Sequence, residues 1–284
     1  SRGLGDVYKR QAVMVMGMAT TTFAKESNNI SNDTVTKTNN IIYSPEFPDA
    51  YIVTETSPAP NNYSLNNESK QLDTITATVF VEETLATDKN EDIYVSNSRL
   101  LSKDEVENIG IDNFSNINTM STSRAAKRTY GKLTLTFSGS QSISGKSVSC
   151  KLNGNANWDF GAFTSSEKNP AIGKDFMGIT WSGLFTTNSS SCSATDLTGK
   201  VTYPTMVDSI ANGGRVWSFE ESLFEDHFAN YNKNINATIN IKKNTMTGNG
   251  NTAEAVLKYI HTYQKTTGSV SMNVGCLLYT SDAA

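Results

Sequence analysis

Histidine occurs twice in 284 residues, cysteine three times and proline six times, and the shortages narrow the chemistry open to the chain. His227 and His261 are the only imidazoles, and neither sits in a recognisable nucleophile motif, so a Ser–His or Cys–His hydrolase has no visible base. The 24 basic and 28 acidic residues give a formal charge of −4 with no basic cluster to neutralise phosphates, which argues against nucleic-acid binding. No loop alternates Asp with Asn as a calcium-binding loop does, and no pattern calls for a cofactor. Beyond one short N-terminal run, no apolar stretch is long enough to cross a bilayer as a helix.

Asn, Ser and Thr take the place of charge, since charged residues make up only 18% of the chain. These side chains favour turns and the solvent face of strands over helix interiors. Ala12-Val-Met-Val-Met-Gly-Met-Ala19 is followed by Thr20 to Ala24 and then Lys25-Glu26. An apolar run of that length before small residues at Thr22 and Ala24 is the expected tail of an export signal, over 12–24. A buried N-terminal strand is the alternative.

The outermost hexapeptides, Asp6-Val-Tyr-Lys-Arg-Gln11 and Cys276-Leu-Leu-Tyr-Thr-Ser281, resemble the translated ends of a transposon used to prepare sequencing libraries. Residues 1–11 and 276–284 are therefore expected to be non-native read-through, which leaves Cys150 and Cys192 as native cysteines. An even count in an exported chain predicts a disulfide between them, contributing on the order of 4 kcal/mol by loop closure. Two buried free thiols are the alternative.

Residues 25–72 show little periodicity and carry Ser57-Pro-Ala-Pro60, which reads as a flexible leader. Between 73 and 115 a small β-β-α lobe or propeptide is expected. Ile75, Ala77, Val79 and Val81 alternate on a strand, Asp88 to Glu91 turns, and Ile93 and Val95 mark a second strand. Ser102-Lys-Asp-Glu105 is a capping box that starts a helix, and Gly110 ends it. Residues 116–128 form a linker whose Arg124 to Arg128 is either a release site or simply exposed chain.

From 129 to 275 the pattern predicts an antiparallel β-sandwich. Leu133, Leu135 and Phe137 alternate with threonines until Ser138-Gly-Ser140. Val148, Cys150, Leu152, Gly154, Ala156 and Trp158 share one strand face opposite Ser149, Lys151, Asn153, Asn155 and Asn157. Further strands are expected over 177–181, 192–195, 200–203, 235–241, 253–263 and 269–274, with a hairpin loop at Thr247 to Asn251. Ser218-Phe-Glu-Glu221, with Phe219, Leu223, Phe228 and Tyr231 at helical spacing, predicts one helix over the sandwich.

Candidate binding residues are Trp158, Asp159, Phe163, Asp175 and Trp181, aromatics beside acids and glycine near strand ends, where a glycan or peptide is gripped. The two tryptophans as core anchors are the alternative. Glu221 and Glu225 would share a helical face able to hold a hard cation, or form a solvated acidic face. His261, between Tyr259 and Tyr263 on a strand face, reads as a packed or surface residue rather than a base.

The segments Ser98 to Gly110, Gly131 to Ser138 and Tyr259-Ile-His-Thr-Tyr263 together resemble exported proteins of Gram-positive gut bacteria with no assigned activity. The resemblance spans 73–275 and implies no functional residues. The expectation is therefore a secreted or cell-surface, non-catalytic binding module for a glycan or protein. A hydrolase using Glu220, Glu221 or Asp226, and a pore-former extending Leu133 to Ser149 as a hairpin, are the alternatives.

Overall fold

The structure, a computed structural model, describes residues 13–19, 23–24, 48–59, 69–87, 93–111, 114, 127–160, 174–182, 185–220, 222–225, 228–244, 252–262, 269–273 and 276–280. In chain order the strands begin with β1 (Val13–Ala19), β2 (Phe23–Ala24), β3 (Ile52–Ser57), β4 (Ser69–Gln71), β5 (Thr74–Thr87) and β6 (Ile93–Leu100). Helix α1 (Lys103–Ile109) follows, then β7 (Lys127–Ser144), β8 (Ser147–Phe160), β9 (Lys174–Trp181), β10 (Thr186–Asp196), β11 (Val201–Thr202) and β12 (Thr205–Ile210). The series closes with β13 (Gly214–Glu220), β14 (Ser222–Glu225), β15 (Phe228–Lys243), β16 (Thr252–Ala253), β17 (Ala255–Thr262), β18 (Ser269–Asn273) and β19 (Cys276–Thr280).

Among the described residues, period-two alternation becomes two main antiparallel sheets packed face to face, with β16-β2 and β18-β19 as two further two-stranded sheets. The larger has ten strands, running β11-β10-β15-β8-β7-β5-β3, with β14, β4 and β6 pairing onto β15, β7 and β5. The smaller runs β1-β17-β9-β13-β12. Ile75, Ala77, Val79 and Val81 on β5, Leu133 to Phe137 on β7, the Val148 to Trp158 face of β8 and Ile235 to Ile241 on β15 meet Met177, Ile179, Trp181, Trp217, Leu257 and Tyr259 in one core. Burying such faces is the main stabilising term of a sandwich. Gly154 marks the closest approach, since a Cβ there would stand 2.7 Å from Leu257 Cδ1 and 2.9 Å from Met177 Cε.

Residues 73–115 do form two strands and a helix, and β5 is hydrogen-bonded along β7 from Ile75↔Phe137 to Leu85↔Lys127. They share the sheet and core of the sandwich. Part of the stretch expected as a flexible leader is also sheet: β3 pairs with β5, and β4 with β7. The pairing supplies order that their polar composition does not signal. The Val13–Ala19 run, read from sequence as an export signal, is strand β1 against β17.

The helix begins where the capping box placed it. Ser102 Oγ accepts from the Glu105 amide, the Glu105 carboxylate accepts from the Ser102 amide at 2.9 Å, and Gly110 ends the helix at φ 85°. Val106 anchors α1 on the outer face of the large sheet beside Phe80, Leu101 and Phe114. Arg99, 2.8 Å from Glu105, together with the Ser102 amide holds the Glu105 carboxyl down at about 2. A depressed folded-state value contributes stability above the ordinary carboxylate range that is lost as pH falls toward 2. Ser102→Ala should cost about 1 kcal/mol in urea melts at pH 7. A Glu105→Gln chain should lose less stability than the parent between pH 4.5 and 2.

Several expectations are corrected. The described residues of 218–231 are strand rather than helix: Trp217 and Phe219 alternate inward on β13, which pairs with β9, and β14 and β15 follow. A short apolar run fits both periods, and pairing to β9 decides between them. Ser138-Gly-Ser140 does not end its strand, because β7 continues through Gly139, where a Cβ would meet the Lys151 carbonyl at 2.7 Å. The hairpin loop expected at Thr247 to Asn251 lies outside the described residues; the flanking strands β15 and β17 belong to different sheets.

Cys150 and Cys192 are free, buried thiols. Cys150 lies opposite Ile241 and Cys192 opposite Ala237, on either side of β15. That places them roughly 16 Å apart by strand spacing and rise, far beyond disulfide reach. Burial pushes both thiols up to about 12. Alkylation followed by peptide mass spectrometry should modify neither cysteine in the native protein at pH 8, and both in denaturant. Reductant should leave the melting temperature unchanged.

Candidate functional site

Two arrangements of polar side chains stand out, one inside the sandwich and one on its outer face. The inner one is built from β17 and β9, whose register sets Tyr259 opposite Met177, so that His261 falls beside Asp175. On the facing sheet, Trp158 of β8 and Glu83 of β5 occupy the same end. Trp158, Tyr259, Asp175, His261 and Glu83 are all buried.

Hydrogen-bond direction orders the group. An indole N–H only donates, so Trp158 Nε1 donates to the Tyr259 hydroxyl at 2.8 Å, and Tyr259 donates its own hydrogen to Asp175 Oδ2. The Thr262 amide donates to Asp175 Oδ1 at 2.8 Å. His261 presents Nδ1 to Asp175 at 3.3 Å and Nε2 to Glu83 Oε1 at 3.4 Å, and its ring lies 5.1 Å from that of Trp158. Two carboxyl groups thus flank one imidazole in the core. Trp158 to Tyr259 and Glu83 to His261 are contacts between the two sheets, and removing a partner would leave buried polar atoms without it, which makes the group a structural clasp.

The outer arrangement repeats across five strands of the large sheet. Thr78, Thr134, Asn157, Asn234 and Thr195 form one rung, and Thr76, Thr136, Asn155, Asn236 and Ser193 the next. Ser138, Asn153, Thr238 and Ser191 form a third. Asn155 Nδ2 donates to Asn234 Oδ1 at 2.9 Å and to Asn236 Oδ1 at 2.8 Å, while Thr238 Oγ1 donates to Asn153 Oδ1 at 3.2 Å. These rungs carry no charged residue. They offer donors and acceptors held in register by the backbone.

Of the sequence-predicted binding residues, Trp158 and Asp175 do come together, joined through Tyr259. Both face the core. Trp181 is buried at the other end of β9, donating to the Phe185 carbonyl at 2.9 Å. Both tryptophans are therefore core anchors. Asp159 is on the outer face, 3.3 Å from Lys132. Phe163 and Glu221 lie outside the described residues. Ser222–Glu225, expected from sequence to be helical, is a strand.

Among the carboxylates weighed for hydrolysis, Glu220 sits 3.9 Å from Lys174 at the surface, and Asp226 lies outside the described residues. Among the described residues, no cluster of three or more His, Cys, Asp or Glu is arranged to hold a metal ion, and no helix is long and apolar enough to cross a membrane. Sequence reasoning missed Glu83, although a signal existed: it is in phase with Ile75, Ala77, Val79 and Val81, so the alternation already sets it inward. No family model, curated protein or solved structure matches the chain.

Proposed function

We propose that the chain is a non-catalytic recognition module of a secreted or cell-surface protein, binding a neutral glycan on the outer face of its large sheet. The supporting observation is the in-register array of Asn, Ser and Thr centred on Asn155 and Asn236. Sugar hydroxyls both donate and accept, and amides and hydroxyls answer both needs without a net charge that would select an ionic partner. An extended polysaccharide suits a surface repeating about 4.8 Å across strands and about 6.8 Å along them. The buried Trp158–Tyr259–Asp175–His261–Glu83 group would keep the two sheets fixed beneath that face.

Retention on insoluble and soluble neutral polysaccharides tests the reading. The parent should be retained, and Asn155→Ala/Asn236→Ala should weaken retention about tenfold or more while keeping the parent's strand circular dichroism and losing no more than about 1–2 kcal/mol of stability with the hydrogen bonds between the amides. Retention by no neutral polysaccharide, or equal retention of the double variant, would reject it. Capture only by a protein ligand would favour protein recognition instead.

A further inference from the structure

We propose that the β17 edge of the small sheet is an acceptor site for an extended apolar strand of a partner chain, opened when the export segment is removed. The inference rests on the export reading of 12–24. It comes from a conflict between sequence and structure: Val13–Ala19 has the character of a signal-peptide tail, yet it pairs with β17 for seven residues without a register shift, from Val13↔Thr262 to Ala19↔Val256. One segment cannot be both discarded on export and kept as a permanent strand.

Without β1, β17 becomes an edge of eight residues, Ala-Val-Leu-Lys-Tyr-Ile-His-Thr, with Lys258 as its one charged side chain apart from His261. Long, regular, apolar edges recruit other strands, and proteins blunt them with shortness, bulges, proline or charge. Other edges here are blunted in those ways. β11 is two residues long. β12 follows Pro204, carries Asp208 and has a register shift between Met206 and Asp208. β3 carries Glu55 and is followed by Pro58. The β17 edge has no bulge in its pairing with β1 and no proline.

The same edge lies beside the buried clasp, since β17 contributes both Tyr259 and His261 to it. A covering strand would keep water from the Asp175 and Glu83 carboxyls, which gives occupancy a structural consequence. β1 defines the chemistry of the occupant. It is an uncharged antiparallel segment, with methionine at the positions opposite Leu257, Tyr259 and His261 and glycine opposite Lys258. Main-chain ladder bonds would supply affinity and those alternate positions specificity, as in other cases of strand addition.

The test uses the chain beginning at Lys25 and a fluorescent synthetic peptide, Ala12 to Ala19. Saturable one-to-one binding with a rise in melting temperature is expected. The peptide carrying Met16→Lys should bind about tenfold more weakly, because it sets a charge opposite the buried Tyr259. If the shortened chain does not fold alone, recovery of its strand circular dichroism on adding the peptide supports the site equally. No binding and no recovery, or equal binding of the lysine peptide, overturns it. The mass of the product secreted by a Gram-positive host separates the two readings. Retention of 12–24 overturns export and the partner together, whereas cleavage without peptide binding overturns the acceptor site alone.

Discussion

Asp175→Ala should cost about 3 kcal/mol or more, because it removes the acceptor shared by several buried hydrogen bonds. The carboxylate receives the Tyr259 hydroxyl and the Thr262 amide and faces His261 Nδ1. Alanine would leave three buried polar groups without that acceptor and Glu83 as the remaining carboxyl beside the imidazole. Asp175→Asn retains one acceptor oxygen and should fall between parent and alanine. Urea melts at pH 7 followed by circular dichroism measure the order. An alanine variant as stable as the parent would show that the clasp does not hold the sheets.

Trp158→Ala should destabilise by a similar amount, about 3–5 kcal/mol, through the cavity left by a fully buried indole. Trp158→Phe separates two contributions. It keeps most of the volume and removes the N–H that donates to Tyr259, for about 1–2 kcal/mol. The two tryptophan variants should also differ in coupling to Asp175. In a double-mutant cycle, Trp158→Phe with Asp175→Asn should be non-additive, because both act on the Tyr259 hydroxyl, whereas Trp181→Phe with Asp175→Asn should be additive within about 0.5 kcal/mol. Trp181 donates instead to Phe185, at the other end of β9.

The parts of the fold that were legible in the sequence are those set by neighbours in the chain. The Ser102 capping box depends on atoms three residues apart, and it formed with both of its hydrogen bonds. The Val148 to Trp158 alternation fixes which side of β8 is buried whatever lies opposite. The same alternation placed Asn153, Asn155 and Asn157 on the outside, so the candidate binding face was half-written in β8 alone. Its completion by Asn234, Asn236 and Thr238 required the register of β15, which no local pattern reveals.

The inner group was harder to read. Trp158 and Asp175 were singled out as ligand-facing because aromatics and acids near strand ends have that look. Their burial follows from meeting Tyr259 and His261, which lie 84 to 101 residues from their hydrogen-bonding partners. The expected disulfide fails for a related reason. An even pair of cysteines says that pairing is possible, but the offset across β15 makes it geometrically unreachable.

The sequence by itself determined a mainly β, weakly charged chain, the inward and outward faces of its clearest strands, and the start and end of its helix. Backbone periodicity and capping are properties of a few consecutive residues, and such forces act before any distant contact exists. Only the tertiary structure decided which strands share a sheet, that the described residues of 218–231 extend rather than coil, and that Cys150 and Cys192 stay apart. Those outcomes turn on hydrogen-bond ladders between segments far apart in the chain, whose partners are selected by the joint burial of both faces.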